Sequence, residues 1–311
     1  MISYFDLHCD TLSAAGGECA LWGGKFAVDL ERAPSLSAQS YALYTENACI
    51  PAEGARQVRE MLARFERESE RLSGRAVRCR TFKDLARARE QKLPALILAL
   101  ENARPLEADP LLFDRLCDAG LWMMTLTHNG GNAFAEGTYG DRSRGLSTAG
   151  RMLVKLAGER GVALDLSHLN ERGALELLSL TEGPVLASHA NCRVLCPDER
   201  NLSDEVIGEI AARGGIIGVT LHRPFVGLRG GIDDLLRHVE HLLERVGEEA
   251  VAVGTDFDGT DTLIDGIENN ADLEKIADRM SLFGYNERLI ANIFYKNAYS
   301  FFRRWREKSE I

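Results

Sequence analysis

Residues 148–189 read TAGRMLVKLAGERGVALDLSHLNERGALELLSLTEGPVLASH, and their alternation decides the fold class. Thr148–Arg160 and Glu171–Leu180 carry apolar residues at helical spacing. Each is followed by a short apolar run, Val162–Leu166 and then Pro184–Ser188, without the polar alternation of a half-exposed strand. Runs of this kind suit parallel strands covered on both faces. Gly161, directly after Arg160, is a good helix stop. Both runs lead into the same pair of residues, Ser167-His168 and Ser188-His189.

Working outward, the unit recurs. Further apolar runs lie at Tyr4–His8, Ser40–Tyr44, Leu93–Leu100, Leu121–Thr127, Gly215–Leu221 and Ala250–Gly254. Helical patterns lie at Glu53–Leu72, Asp109–Ala119, Ser203–Arg213, Ile232–Val246 and Asp272–Phe283. Ser203 with Asp204 and Glu205 behind it makes a helix start, and Gly214 and Gly247 make stops. Runs alternating with helices give a parallel α/β sheet, either closed or open and doubly wound. Eight runs favour closure. So does the lack of a Gly-x-Gly-x-x-Gly turn after any of them, since Gly16-Gly17 and Gly130-Gly131 sit in loops without that context. The expectation is one (β/α)8 TIM-like barrel over residues 1–311, near the length of about 250 residues usual for such enzymes.

Composition narrows the partners. The chain is 45% hydrophobic and 27% charged, with a net charge of −10. It shows no basic stripe, which argues against nucleic acid. No apolar run approaches the ~20 residues of a spanning helix. Asp6 and His8 interrupt any signal-peptide core, and Phe301–Lys308 is too charged for an anchor signal. These features predict a cytoplasmic protein without a membrane partner. The cysteines number seven, with no Cys-x-x-Cys pair, and read as free thiols.

The chemistry-bearing residues follow the apolar runs. They are Asp6-Leu7-His8-Cys9-Asp10, Leu100-Glu101-Asn102, Thr127-His128-Asn129, Asp165-Leu166-Ser167-His168, Ala187-Ser188-His189 and Thr255-Asp256-Phe257-Asp258. In a closed parallel barrel these ends converge on one face. Imidazoles beside carboxylates suit zinc, and also manganese, iron or cobalt. His8 and Asp10 would point to the same side of an extended strand end. A carboxylate such as Glu101 can bridge two ions, and His168 and His189 can complete the second centre. Each residue alone has a plainer reading. A single strand-end histidine is usually structural, Glu101 could cap a helix, and Asp256-Phe257-Asp258-Gly259 has turn chemistry. Asp165, inside its run, reads as structural. His238 and His241 read as a solvated helix face, and His222 stays ambiguous because it too ends a run. Six such ends on one face outweigh these separate readings.

With these segments, and with Arg200-Asn201-Leu202-Ser203-Asp204, the chain resembles the membrane dipeptidase family, also called renal dipeptidase or dehydropeptidase. The segments occur in that family's order from residue 6 to about 300. The resemblance implies a binuclear zinc site, with His8 and Asp10 on one ion, His168 and His189 on the other, and Glu101 between them. It implies two zinc ions per subunit activating a bridging water to cleave a small peptide. His128 would polarise the substrate carbonyl, Asp256 would handle protons, and Arg200 would hold the substrate's C-terminal carboxylate. A D-residue at the C-terminal position and a homodimer are further expectations of this kind. The alternative for Arg200 is a surface arginine paired with Glu199 or Asp204. Two segments depart from the family pattern: Tyr295–Phe301, and the loop Gly130–Gly137 after His128. The rival enzyme reading is another binuclear amidohydrolase, such as a deaminase, lactonase or cyclic amidase. Those carry His-x-His on the first strand and often a bridging lysine, whereas this chain has His8-Cys9-Asp10 and no strand-end lysine. A non-catalytic binding barrel would lack ligands, and all five candidates are present.

Overall fold

A computed structural model describes residues 2–16, 21–33, 36–183, 185–227 and 229–309. Cys19, Gly17, Pro184 and the last two residues lie outside the described residues. The strands are β1 (Tyr4–Cys9), β2 (Leu36–Tyr44), β3 (Val77–Arg78), β4 (Ala95–Glu101), β5 (Leu121–Thr125), β6 (Ala163–Asp165), β7 (Val185–Ala187), β8 (Ile216–Val219) and β9 (Val251–Val253). Around them run α1 (Thr11–Ala14), α2 (Pro51–Arg71), α3 (Phe82–Gln91), α4 (Leu111–Ala119), α5 (Thr148–Glu159) and α6 (Glu171–Leu180). Then follow α7 (Asp204–Ala212), α8 (Arg223–Val226), α9 (Ile232–Val246), α10 (Leu273–Leu282), α11 (Glu287–Ala291) and α12 (Asn297–Ser309).

All the strand pairings are parallel, in the order β2-β1-β9-β8-β7-β6-β5-β4. A long ladder between β2 and β4, from Ala38↔Ala95 to Tyr44↔Glu101, closes the ring. The eight apolar runs are the eight barrel strands, so the expected (β/α)8 barrel is the fold. The ninth strand, β3, pairs with the first residues of β4, below the stretch that β5 covers. It is too short and too mixed, a valine and an arginine, to register as an apolar run.

The helix signals behave as their chemistry requires. Ser203 caps α7 through its side chain, and Gly161, Gly214 and Gly247 all take left-handed φ after their helices. Two layers of apolar side chains result. One lies between strands and helices. The other fills the barrel and its floor, joining Phe5, Leu7, Ile97, Met123, Leu186 and Ile216 to Phe301 and Phe302 of α12. The Phe5 and Phe302 rings stack with centroids 5.5 Å apart, and Trp122 meets Phe302 edge-on at 5.0 Å. With the floor sealed by α12, the opposite mouth is left for chemistry. Among the described residues no helix is long and apolar enough to cross a membrane.

Candidate active site

Two buried aspartates beneath the mouth hold the strand ends in register. Asp6 accepts from the backbone of His8 and Thr255, from the Thr255 hydroxyl and from Gln39, tying β1 to its neighbours β9 and β2. Asp165 accepts from the backbone N–H groups of Ser167 and Ser188, tying the ends of β6 and β7. It is structural, as its place inside an apolar run suggests. Asp6 thereby fixes His8, and Asp165 fixes the serines that directly precede His168 and His189.

On this base the strand-end residues meet. His8 Nε2 lies 3.2 Å from Asp10 Oδ2 and 3.2 Å from Glu101 Oε2. Glu101 turns its other oxygen the opposite way, 2.9 Å from His168 Nε2 and 3.7 Å from His189 Nε2. The two imidazole nitrogens of His168 and His189 are 2.9 Å apart. Asp256 Oδ1 stands 4.0 Å from His8 Nε2. Among the described residues, three overlapping groups could hold a metal ion: His8-Asp10-Glu101, Glu101-His168-His189 and His8-His189-Asp256. Glu101 belongs to two of them and gives a different oxygen to each side.

The outer nitrogens explain why the inner ones face inward. His168 Nδ1 bonds Asn129 Oδ1 at 2.8 Å, so it carries the hydrogen and leaves Nε2 with a lone pair. His189 Nδ1 bonds the Ser188 hydroxyl at 2.7 Å. Burial, reinforced by Arg200, holds His168 well below the usual imidazole range. Burial and the charge of His8 do the same to His189. Both are neutral donors near pH 7, the state a metal requires. His8 differs. Burial pushes its pKa down, but Glu101 and Asp10 outweigh that and raise it well above the usual range. In the protein alone, the proton on His8 supplies positive charge that the carboxylates demand. The donor set therefore fits hard-to-borderline divalent cations.

Backbone strain gathers at the same place. Five described non-glycine residues have positive φ, and four of them, Asn102, His168, Asp256 and Asp258, are at the mouth. Such backbone over-determines where the neighbouring side chains point. The two aspartates of the last turn do different things. Asp258 accepts from the Thr11 hydroxyl and the Ala27 and Val28 backbone, so it pins loops. Among the described residues none donates such a bond to the Asp256 carboxylate. Burial, with Asp10 and Glu101 against the pull of His8, pushes it up to about 8.

His128 is half-buried, its ring 4.4 Å from that of His168 and 4.9 Å from that of Tyr44. Burial and the positive Arg200 lower it to about 4, so it is neutral at pH 7. Arg200 is only 2% exposed. One Nη donates to the His189 carbonyl at 2.8 Å, while Nε and the other Nη have no partner among the described residues. The surface pairing considered for it does not form: Glu199 engages Arg142 and Arg193, and Asp204 engages His241. Buried donors without acceptors cost about 1–3 kcal/mol each, so this guanidinium is poised for an anion.

One expectation is corrected. His238 is not on a solvated face: it is fully buried, with both ring nitrogens bonded. Its burial is set by loops that cross α9, which helix periodicity does not see. Tyr44 and Asn129 were missed as site residues, although Tyr44 ends an apolar run as the others do.

Fold and donor set define a metal-dependent hydrolase on a parallel barrel. A metallo peptidase of Rhodobacter sphaeroides, solved with a phosphinate mimic of the dipeptide L-Ala-D-Ala, superimposes with a TM-score of 0.88; it is 26% identical over 98% of this chain and 99% of that one. Dipeptidase AC gives a TM-score of 0.90 at 25% identity over 98% and 99% of the two chains. Dipeptidase verJ of Clonostachys rogersoniana is 27% identical over 232 residues, 74% of this chain and 60% of that protein. The membrane dipeptidase family (peptidase family M19) matches residues 3–310, and the chain belongs to it.

Proposed function

We propose that the chain hydrolyses dipeptides bearing a free C-terminal carboxylate, with two zinc ions at the barrel mouth. The observation that carries this reading is Glu101, whose two oxygens face opposite donor groups, His8 with Asp10 and His168 with His189. These five residues would hold the ions. Bound there, such ions supply Lewis acidity and lower the pKa of coordinated water toward neutrality.

The chain's own residues do the rest. Arg200 keeps Nε and one Nη idle among the described residues, and its buried planar cation suits a carboxylate. Holding the free C-terminus there selects short peptides and orients the scissile bond. His128, neutral at pH 7, donates to the carbonyl oxygen as it gains charge. Asp256, near neutrality in its pKa, takes a proton during attack and returns it to the leaving amine. The Rhodobacter sphaeroides relative's ligand, a mimic of L-Ala-D-Ala, supports acceptance of a D-residue at the C-terminal position. The free thiols Cys9, Cys79 and Cys192 fit a reducing cytoplasmic setting, and sedimentation will test a homodimer.

The decisive experiment combines elemental analysis with a screen of L,L and L,D dipeptides, with and without added zinc. Two metal equivalents per chain and zinc-dependent hydrolysis of free-carboxylate dipeptides are expected. A metal-loaded protein that spares every dipeptide while cleaving a lactone or cyclic amide would overturn the reading in favour of another amidohydrolase.

A further inference from the structure

The loop between β7 and α7 carries Arg200, and the segment after β8 carries Phe225 in the short helix α8, its ring 5.8 Å from the Arg200 guanidinium carbon. Side-chain amides stitch the two together. Asn191 bonds Thr220 through both its oxygen and its nitrogen. Asn201 donates to the carbonyls of Cys196 and Phe225, each at 2.9 Å. These contacts fix the loops to each other, and backbone bonds from Ala190 to Gly218 of β8 and from Leu221 to Thr255 hold their bases to the barrel.

His238 ties the parts farther from the strand ends to a helix. It projects from α9, which is anchored by buried Leu235, Leu236, Val239 and Leu242. Its Nδ1 accepts from the Cys192 backbone N–H at 3.1 Å, and its Nε2 donates to the Val226 carbonyl at 3.0 Å. Cys192 is in the Arg200 loop, and Val226 follows Phe225. One neutral ring of fixed tautomer thus bridges both loops to one helix. Only a side chain with an acceptor and a donor at this spacing can make both bonds.

We infer that His238 is a positioning residue for the carboxylate subsite: it holds the Arg200 and Phe225 loops at the height where the guanidinium meets the substrate's C-terminus. The inference rests on the reading of Arg200 as the carboxylate clamp. His238 touches neither the substrate nor the metal donors, so its loss acts on binding geometry and leaves the donor cluster in place.

The test uses three variants of the metal-loaded enzyme. His238→Leu removes both bonds at similar volume. His238→Asn keeps an acceptor near the Nδ1 position, and His238→Gln a donor near Nε2. For a free-carboxylate dipeptide, His238→Leu should raise KM about tenfold or more, with kcat within about threefold and metal content unchanged. The same dipeptide with an amidated C-terminus should be affected much less, and Asn and Gln should each recover part of the loss. Arg200→Ala is measured alongside. If it separates free from amidated substrates while the His238 variants do not, the clamp stands and this inference is wrong. If Arg200→Ala treats both substrates alike, the clamp reading itself fails and the inference falls with it. Should His238→Leu not fold, the Asn and Gln variants decide: an unchanged KM in both, or equal losses of kcat on both substrates, overturns the positioning role.

Discussion

Asp256 and Asp258 share one turn and one left-handed backbone conformation, yet only Asp256 has an uncommitted carboxylate. Asp256→Asn should keep the metal and lose most turnover, roughly a hundredfold or more, because proton transfer is removed and the fold is not. Metal content and kcat measured on the same sample check this; loss of metal would make Asp256 a ligand. Arg200→Ala should raise KM for free-carboxylate dipeptides by about thirtyfold or more, from about 2 kcal/mol of charge-assisted bonding. Initial rates on free and amidated substrates measure it. At this scale the sequence was informative where a charged or imidazole residue ends an apolar run. His8, Asp10, Glu101, His168, His189 and Asp256 all come together from that signal alone. It was silent where the contact depends on a loop's path. Asn129 orients His168 from the loop after the neighbouring strand, and His238 is buried by loops remote in sequence. No spacing rule encodes either.

Glycines decide how closely the elements approach one another. A Cβ at Gly254, after β9, would meet the Ser188 carbonyl oxygen at 1.6 Å, and at Gly218 in β8 the same atom at 2.1 Å. Backbone cannot give way cheaply there, so Gly254→Ala should destabilise by about 3 kcal/mol or more, read by urea unfolding. Gly259 contrasts with it. Its Cβ would meet Asp10 Oδ2 at 2.3 Å and Asp256 Oδ1 at 2.6 Å, both ends of side chains that can rotate. Gly259→Ala should therefore fold with a nearly unchanged Tm and bind metal less well, as zinc titration will show. The eight barrel strands and the helices Glu171–Leu180 and Ile232–Val246 were legible because period and length agree. The helix Phe82–Gln91 was not recognised, although Thr81 and Asp84 form a capping box at its start. Strand β3 owes its existence to the open lower edge of β4, a tertiary cause.

Stability against pH is a property of the whole molecule to which His238 contributes one share. Burial lowers its pKa, against the opposing hydrogen bond to Val226; Arg237 and His241 lower it further and Asp234 raises it. With the folded value below the unfolded value of about 6.5, the unfolded chain binds the proton more readily. The stabilisation is complete above pH 6.5 and is lost as pH falls through the folded value. His238→Asn should thus lose less stability than the parent between pH 7.5 and 5, by urea unfolding at both; an equal loss would count against a buried neutral imidazole. The barrel's closure also sets a timetable. Asp6 of β1 pairs with Val253 of β9, and Phe5 waits for Phe302. At about 5–20 residues per second of ribosomal synthesis, the β9-facing edge of the first strand stands for roughly 12–50 s before β9 emerges. During that time a newborn chain shows an unsatisfied strand edge and an uncovered aromatic ring to whatever surrounds the ribosome. Pairing with β9 ends the exposure of the edge, and α12, made after it, covers the ring.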